Sequence, residues 1–382
     1  MSLSDSQMQF RENVEVTAIV STYASESFMR GCLEDLVEQT LFQKGLLEIL
    51  VIDCASPEDE GRIIRDFQAR YPNISHVRIS ERETLAGAWN IGAAYARGQF
   101  LTNANTDDRH HPECLEKLSL ALKAHPEADL SYANVYQSTK PNESFRENQK
   151  EIIYRYKPFF APEVFLHYQF GCQPLWRASL HEKIGYFNKD LRAASDYEFN
   201  YRFALAGCKA IHIDEALGSF LERDDSLSLA DSTSLDEQMM LRQRYATPEG
   251  ILNLYSLEGY DTTSDASKIS IFHDISLRAL SVRYPWRPHC VDSDPDLALI
   301  AISAAIALDS KNPTLMNNFA VALQQIEREA DARRVLESLK ALGEIEHTVG
   351  EDASVSHNLR QLSNSSWEDI RLEASLQLSS PF

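Results

Sequence analysis

The chain has 382 residues, and 57 Asp and Glu against 37 Lys and Arg give it a formal net charge of −20. This length is typical of about two domains, and the 43% hydrophobic and 25% charged residues are those of an ordinary globular protein. The composition excludes a disordered chain, a collagen-like repeat and a disulfide-dense scaffold. The negative charge argues against the broad basic faces that bind nucleic acid, so we expect no nucleic-acid partner.

The sequence contains no signal for secretion or membrane insertion. Residues 1–11 are polar and lack the apolar core of a signal peptide, and no apolar run approaches the roughly 20 residues that cross a bilayer. The six cysteines form no Cys-x-x-Cys pair, which argues against a zinc ribbon. We therefore expect a cytoplasmic protein with free thiols, and peripheral association with the inner face of a membrane stays open.

The first 135 residues alternate between short apolar runs and stretches with helical apolar spacing. The predicted strands are 14–20, 48–52, 76–79, 99–103 and 130–135, and the predicted helices are 26–42, 57–71, 85–97 and 112–125. Such alternation indicates an α/β fold, a mostly parallel sheet with helices on both faces. Ligands on these sheets bind beyond the carboxyl ends of the strands.

The pattern changes twice in the rest of the chain. Residues 142–170 are irregular and aromatic-rich, which indicates an insertion or a lid. A regular pattern returns at 174–178, and a helix at 195–206 and strands at 210–213 and 217–221 follow. Beyond residue 231 the apolar spacing is helical throughout, over 234–245, 268–283, 297–308, 315–326 and 330–342. We therefore expect a tail at 1–12, an α/β domain at 13–245, an all-helical region at 246–346 and a C-terminal tail at 347–382.

Residues 313–346 resemble a tetratricopeptide repeat. The residues at its packing positions are Met316, Phe319, Ala320, Leu323, Ala332 and Leu336. About three such repeats are needed to bury their own faces, and fewer than two are recognisable here. These helices therefore dock a protein partner, form a homodimer contact or cover the first domain.

Two acids follow the fourth predicted strand directly, in Asn105-Thr106-Asp107-Asp108. This position places the Asp107 and Asp108 carboxylates at the ligand-binding edge of the sheet. Oxygen ligands suit Mg²⁺ or Mn²⁺, which complete their shells with water and phosphate oxygens. An Asp-rich turn that caps the next helix is the alternative. The adjacent His110 and His111 lack a third ligand, and we interpret them as solvated loop residues.

Three further residues are placed for ligand chemistry. Asp53 ends the second predicted strand, where a carboxylate accepts a hydrogen bond from a nucleoside or a backbone amide. Tyr23 follows the first strand and offers a face for a base, although a packing role is as good an explanation. Ser195-Asp196-Tyr197-Glu198 has the form of a capping box, which explains Ser195 and Glu198 but not Asp196. At the first helical position the helix dipole favours ionised Asp196, which suits a general base.

Taken together, these segments resemble the family-2-type glycosyltransferases of GT-A fold, from about residue 14 to residue 228. The motifs that carry the resemblance are VTAIVSTY at 16–23, EILVIDCAS at 48–56, NIG at 90–92, the Asp107-Asp108 pair, IGYF at 184–187 and SDYE at 195–198. No single motif is specific, but their order and spacing are.

The resemblance implies roles for individual residues. Asp107 and Asp108 would hold a divalent cation, Mg²⁺ or Mn²⁺, that bridges the diphosphate of a nucleoside diphosphate sugar. Asp196 would take the proton of the acceptor hydroxyl. The donor-binding candidates are Ser21, Thr22, Tyr23, Asp53, Asn105, Arg177 and Arg223. The implied reaction is an inverting, hexosyltransferase-type transfer to a glycan or lipid-linked acceptor in surface polysaccharide synthesis.

The sequence departs from the family pattern at several of these positions. Cys54 stands where a second Asp is frequent, which weakens any inference of uridine, and Ser195 replaces a common Glu. Asn105 stands where an acid is common, and Arg223 where many members carry a His. These changes bear on the identity of the donor more than on the class of reaction.

Two other functions compete with this interpretation. A sugar-nucleotide pyrophosphorylase-like nucleotidyltransferase shares the sheet, but it needs a Gly-rich loop with Lys or Arg after the first strand. Residues 21–30 contain neither a glycine cluster nor a lysine. A degenerate transferase domain could instead act as a scaffold, but Asp107, Asp108 and Asp196 are all retained. We therefore expect an enzyme.

Overall fold

A computed structural model describes residues 13–223, 233–282, 284, 292–342 and 358. The predicted N-terminal tail and, apart from Asn358, the predicted C-terminal tail lie outside these described residues. Within them, five cysteines are free. No described helix combines the length and the apolarity that a bilayer-spanning segment requires.

The described residues form one mixed sheet of nine strands. The strands are β1 Val16–Thr22, β2 Leu47–Cys54, β3 Ile74–Ile79, β4 Phe100–Asn103, β5 Arg109–His110, β6 Leu130–Ser138, β7 Ile153–Tyr154, β8 Leu175–Arg177 and β9 Ala210–Leu221. Their order is β3-β2-β1-β4-β8-β6-β9-β5, with β7 paired to β6. The first four are parallel, whereas β8 is antiparallel to β4 and β6, and β5 is antiparallel to β9.

Helices cover both faces of the sheet. The helices of this part are α1 Glu26–Val37, α2 Thr40–Gln43, α3 Glu60–Gln68, α4 Leu85–Tyr95, α5 Cys114–Ala124, α6 Leu180–Ile184 and α7 Ser195–Leu205. Alternation along β1 divides its side chains between two cores. Ala18 and Val20 pack with Leu33, while Ile19 packs with Trp89 on the other face. The predicted α/β fold class is confirmed.

Several element boundaries differ from the sequence prediction. The single helix predicted at 26–42 is divided after Val37, and the helix predicted from residue 57 begins at Glu60. It begins there because the Asp59 side chain accepts from the Arg62 N–H at 3.2 Å, which makes Asp59 the N-cap. The two strands predicted at 210–213 and 217–221 are one strand, and the predicted gap is an irregularity in its register with β6.

The remaining helices are α8 Thr233–Tyr245, α9 Pro248–Leu257, α10 Asp265–Leu280, α11 Pro295–Leu308, α12 Pro313–Gln325 and α13 Glu329–Ala341. Helix α9 is absent from the sequence prediction, and the Thr247 side chain caps it at the Gly250 N–H. The residues expected to pack between α12 and α13 do meet, in a cluster with Ala320, Leu323 and Leu336. This is the expected helix pair, while its assignment to the tetratricopeptide family stays a prediction; residues 343–346 lie outside the described residues.

The chain divides into two compact units. The α/β unit contains the described residues up to Phe159 and then Tyr168–Met239. The helical unit contains Phe160–His167 and the described residues from Met240 onward. The division therefore falls inside α8, a few residues before the predicted boundary at 245. The inclusion of Phe160–His167 in the helical unit is not expected from the sequence.

Candidate active site

The carboxyl ends of β1, β2 and β4 lie at one edge of the sheet. Thr22 is in register with Asp53, and the Ala104 N–H donates to the Ile19 carbonyl at 2.9 Å. The turns that follow these strands therefore bring Tyr23, Asp53 and the Asn105–Asp108 turn to the same side of the sheet. This is the edge at which ligands bind in open α/β sheets.

Asp53 is fully buried, and other residues of the chain hold its carboxylate. It accepts from the Ser56 N–H at 2.9 Å and pairs with the Arg78 guanidinium, which also donates to the Ser56 carbonyl at 2.9 Å. His76 Nε2 lies 3.5 Å from the same carboxylate. The Arg78 side chain is 51% exposed. Arg78 is therefore the group that this network presents to a ligand, and Asp53 holds it in place.

A second buried acid, Glu60, joins the turns after β1 and β2. Its Oε1 accepts from the Ser25 N–H at 2.9 Å, from Ser56 Oγ at 2.8 Å and from Thr22 Oγ1 at 3.2 Å. Ser56 Oγ in turn accepts from the Ala24 N–H at 3.0 Å. Ala24 adopts a left-handed backbone with φ of 51°, an uncommon conformation for alanine that this network supports. The Thr22 hydroxyl was expected to face a nucleoside, but in the structure it donates to Glu60 and stabilises the turn.

Tyr23 stands at the end of β1 with one ring face covered. The Arg82 guanidinium carbon lies 4.1 Å from the centroid of its ring, within the range of a cation–π contact. Ser21, two residues before Tyr23 and within β1, is partly buried. This rim thus displays an aromatic ring and two exposed arginines, Arg78 and Arg82, a combination suited to an anionic aromatic ligand.

The acidic turn after β4 is partly enclosed. Asp108 is buried; its Oδ1 accepts from the Leu221 N–H at 3.3 Å and its Oδ2 from Asn105 Nδ2 at 3.1 Å. Asp107 is partly exposed and lies 3.6 Å from Arg223. Burial, together with the negative charge of Asp107, raises the pKa of Asp108 to about 8. Asn105 and Arg223 therefore lie beside the two acids, as the resemblance implies.

Arg109 holds the acidic turn from behind. Its guanidinium donates to the Thr106 and Asp108 carbonyls at 2.9 and 2.6 Å, and to the Asn142 side chain at 2.9 Å. Gly31 makes room for it, because a Cβ there would lie 2.4 Å from Arg109 Nη2. The buried guanidinium thus fixes the backbone that carries Asp107 and Asp108.

The two histidines after this turn both make hydrogen bonds within the chain. His110 is buried, and Asp35 accepts from its backbone N–H at 3.0 Å and contacts its Nδ1 at 2.7 Å. The interpretation of His110 as a solvated loop residue is therefore wrong, because β5 pairs with β9 and carries His110 into the interior. His111 is partly exposed and accepts from the Glu113 N–H at 3.1 Å.

The donor atoms of the acidic turn fit a hard divalent cation. In the part of the chain that the structure describes, no three His, Cys, Asp or Glu side chains gather as a metal centre. A cation would therefore be held by oxygens of Asp107 and Asp108, with water and ligand oxygens completing its shell, as Mg²⁺ and Mn²⁺ accept. Two adjacent carboxylates, one of them buried, form a local negative charge that such a cation would balance.

Asp196 is the second residue of α7, after Ser195, with Ala194 at the N-cap. Its Oδ1 accepts from the Tyr197 N–H at 2.9 Å. Burial raises the pKa of Asp196 to about 6, and backbone hydrogen bonds oppose that rise only in part. The helix dipole was expected to favour the ionised form of Asp196, but the loss of hydration outweighs it. A carboxylate with a pKa near neutrality is suited to accept a proton.

The expected capping box does not form around Asp196. Glu198 instead pairs with Arg202, its Oε2 lying 2.7 Å from Arg202 Nη2. Glu237 of α8 instead holds the residues that lead into α7, because its carboxylate accepts from three consecutive backbone N–H groups. These are the amides of Arg192, Ala193 and Ala194, at 2.7, 2.9 and 2.9 Å. A carboxylate from a distant part of the sequence therefore fixes the start of α7.

Asp108 and Asp196 border the same group of partly buried side chains. The charge of Asp108 helps to raise the pKa of Tyr156, for which burial is the main cause, and the charge of Asp196 does the same for Tyr168. Tyr156 and Tyr168 are electrostatic neighbours of each other and of Cys172. The metal-binding candidates and the candidate base therefore face one cluster.

Arg177 is the one donor-binding candidate that the structure places elsewhere. It is in register with Phe100, the first residue of β4, and so lies toward the amino end of that strand. Its guanidinium donates to the Leu122 and Ala128 carbonyls at 2.6 and 2.7 Å. The expected role in diphosphate binding does not fit this position, because the ligand edge is at the other end of β4.

Four residues of this site were not predicted from the sequence: Arg78, Arg82, Arg109 and Glu237. For Arg78 a signal existed, because the β3 run could have been aligned beside β2 to bring Arg78 level with Asp53. Arg109 directly follows the acidic pair, and this position was itself a signal for a role beside the two acids. No local pattern points to Glu237, since its contacts lie more than 40 residues earlier in the chain.

Comparison with known proteins shows what this region is similar to. The model of the family described as Glycosyl transferase family 2 matches residues 17–185. The uncharacterized glycosyltransferase EpsJ of Bacillus subtilis is 24% identical over 64% of this chain and 71% of its own length. The poly(ribitol-phosphate) beta-N-acetylglucosaminyltransferase TarS of Staphylococcus aureus is 25% identical over 50% of this chain, which spans only 32% of that relative.

A solved structure of residues 1–349 of S. aureus TarS, in complex with UDP, has the same fold. It matches with a TM-score of 0.51 and 17% identity over 96% of this chain and 97% of that one. Several relatives, TarS among them, are longer than the part this chain spans. The GT-A architecture expected from the resemblance is confirmed. The match to the glycosyltransferase family 2 model spans residues 17–185, somewhat less than half of the chain.

Proposed function

We propose that the chain is a metal-dependent, inverting glycosyltransferase. It moves a sugar from a nucleoside diphosphate to a hydroxyl of a glycan or lipid-linked acceptor, in the synthesis of a surface polysaccharide. The observation that carries the proposal is the arrangement of Asp107 and Asp108, at the ligand edge of the sheet, and Asp196, whose pKa is raised, around one cluster of tyrosines.

The donor would occupy the rim formed by the turns after β1, β2 and β4. Tyr23 offers its ring to the base, Ser21 lies beside it, and Arg78 is held toward the site by Asp53 and the Ser56 carbonyl. Arg223, 3.6 Å from Asp107, supplies a fixed positive charge near the diphosphate. Thr22 and Asp53 support this rim from inside through their bonds to Glu60 and Ser56.

Asp107 and Asp108 would hold a Mg²⁺ or Mn²⁺ ion, with Asn105 orienting Asp108. Such an ion, when bound, stabilises the negative charge that develops on the departing diphosphate. Arg109 contributes by fixing the backbone of the turn through its bonds to the carbonyls of Thr106 and Asp108.

Asp196 would act as the general base. The acceptor hydroxyl oxygen forms a bond to the anomeric carbon while its proton passes to the Asp196 carboxylate. The bond from that carbon to the diphosphate oxygen breaks on the opposite face, and the nucleoside diphosphate leaves with the electron pair. General base assistance of this kind contributes about 10²–10⁴ in rate.

The relatives guide the choice of donor. TarS is named as an enzyme that transfers N-acetylglucosamine to poly(ribitol phosphate), and its structure was obtained with UDP. UDP-sugars are therefore the first donors to test, although Cys54 stands where a second Asp would strengthen that choice. The nucleotidyltransferase alternative is not favoured, because neither the turn after β1 nor the family match supports it.

The decisive experiment is a donor panel with and without metal. Nucleoside diphosphate sugars are screened for thermal stabilisation in Mn²⁺, Mg²⁺ or EDTA, and the stabilising donors are then assayed for transfer to glycan acceptors. Asp107→Asn and Asp108→Asn should remove the metal-dependent stabilisation, and Asp66→Asn, an exposed acid on α3, is the matched control. Equal stabilisation by donor in EDTA, or full turnover by both variants, would remove the metal assignment.

A further inference from the structure

Two tyrosines of the α/β unit lie beside the candidate base. Tyr197 follows Asp196 in α7, and its backbone N–H donates to the Asp196 carboxylate at 2.9 Å. The ring of Tyr168 packs against that of Tyr197, with their centroids 5.6 Å apart. Both tyrosines and Asp196 are partly exposed, and all three belong to the α/β unit. The proposed base therefore lies next to two aromatic rings that keep part of their surface open.

The core of the same unit holds the Tyr168 ring in place. Its centroid is 5.8 Å from that of Phe170, and the two rings meet edge to face at 78°. Phe170 is buried and lies 5.0 Å from the buried Phe203 of α7. Edge-to-face packing of this kind favours one orientation of the ring. A ring that is fixed before a ligand arrives loses little conformational freedom on binding, so Tyr168 is suited to be a contact surface.

The surroundings of Asp196 carry no described positive charge. Burial and backbone hydrogen bonds shift the pKa of Asp196, and no described arginine, lysine or histidine contributes to that shift. The titratable neighbours of Tyr168 include Asp196, Tyr156 and Cys172, none of which is cationic. An acidic ligand group would therefore face the Asp196 carboxylate without a described side chain to balance its charge, and burying an unpaired charge is costly.

A pyranose ring matches this combination of groups. It has a face of C–H groups, which packs on aromatic side chains, and a rim of hydroxyls, one of which can reach a carboxylate. We infer that the acceptor unit at this site is an uncharged sugar ring, which packs on Tyr168 and Tyr197 and presents its hydroxyl to Asp196. The two tyrosines then determine acceptor specificity. The inference rests on the proposed function and names the class of its acceptor.

The first test compares matched acceptors with the full chain, at a saturating concentration of the donor that the thermal-shift panel identifies. Aryl disaccharides that end in glucose or galactose are compared with the same compounds ending in the corresponding uronic acid, which differ by one carboxylate. The uncharged acceptors should have a kcat/KM at least about tenfold higher, because the uronic acid brings an unpaired charge beside Asp196. Oligomers of ribitol phosphate, which have phosphates and no ring, should be poorer still. Equal or better transfer to the charged acceptors would overturn the inference.

The second test changes the ring. Tyr168→Leu stays apolar but removes the aromatic face, and it should raise KM for the uncharged acceptor about tenfold with kcat within about threefold of wild type. Donor hydrolysis should stay within about twofold, because water needs no ring contact. Tyr168→Phe keeps the face and should retain the wild-type KM. Tyr95→Leu, at a position on α4 that is 63% exposed, is the control and should change none of these values.

A second variant separates this role from a structural one. If Tyr168→Leu does not fold, Tyr197→Leu removes the other ring and should raise the acceptor KM in the same way. An unchanged acceptor KM in every folded leucine variant, or donor hydrolysis without transfer to any uncharged acceptor, would rule out the tyrosine contact. If wild type neither hydrolyses a donor nor transfers its sugar to any acceptor, the proposed function itself fails.

Discussion

The proposed donor rim and the proposed acceptor side of the candidate site use their carboxylates in opposite ways. On the donor rim, Asp53 and Glu60 are buried, and other residues of the chain fill their hydrogen-bonding positions. On the acceptor side, the described contacts of Asp196 are to backbone amides, and burial raises its pKa to about 6. A buried acid whose oxygens accept from several donors of the chain is part of the frame, whereas Asp196, which has a raised pKa, is suited to accept a proton.

The largest expected effect tests the acceptor side of this comparison. Asp196→Asn should lower the rate of transfer about 10²–10⁴-fold, because the amide cannot accept the proton, while donor binding by thermal shift is retained. Asp190→Asn, at an exposed position before α7, is the control and should transfer normally. A fully active Asp196→Asn would assign the base to another residue.

The same substitution should change the pH dependence of stability. The pKa of Asp196 is raised on folding from 3.8 to about 6, so its ionised form destabilises the folded state increasingly between those values. Asp196→Asn removes this cost and should be more stable than wild type by up to about 3 kcal/mol at pH 7 and by much less at pH 4. Denaturant titrations at both pH values measure this, and equal stabilities at pH 7 would contradict the raised pKa.

The pH dependence of transfer tests whether Asp196 is the group that accepts the proton. Because Asp196 must be ionised to accept a proton, kcat/KM for the acceptor should fall about tenfold per pH unit below about 6 and level off above it. Donor binding, measured in parallel by thermal shift, should show a different profile. A transfer rate that stays constant from pH 7 down to pH 4.5 would exclude Asp196 as the group that titrates.

Removal of the Glu237 carboxylate from the start of α7 is expected to have an intermediate effect. Glu237→Ala leaves the amides of Ala193 and Ala194 without their carboxylate and loosens the start of the Asp196 helix. We expect a loss of stability of about 1–3 kcal/mol, because backbone amides lose their hydrogen-bond acceptor, and a fall in kcat of about tenfold. Asp236→Ala, the neighbouring residue in α8, is the comparison. A normal kcat in Glu237→Ala would limit this carboxylate to a structural role.

The smallest expected effect lies on the donor rim. Arg78→Gln should raise the KM of the donor about three- to tenfold with little change in kcat, because the guanidinium is presented to ligand rather than to the reacting atoms. Arg62→Gln, at an exposed position on α3, should change neither. A loss of stability without any change in donor KM would show that Arg78 only neutralises Asp53.

The sequence determined the parallel half of the molecule and the position of the acidic turn. Short runs rich in β-branched residues, such as 49–52, indicate buried strands, and strands linked in parallel put Asp53 and Asp107 at the same edge for geometric reasons. The helical pair with Ala320 and Leu336 followed equally from local periodicity.

Tertiary structure alone decided which side chains remain available at the site. Arg78 and Asp53 are 25 residues apart, and Glu237 binds backbone amides more than 40 residues earlier, so these pairings depend on the register and packing of distant segments. The raised pKa of Asp196 was likewise not predictable from the sequence. Desolvation depends on the groups that surround a carboxyl group in space rather than on its neighbours in sequence. For the same reason the membership of Phe160–His167 in the helical unit has no local signature.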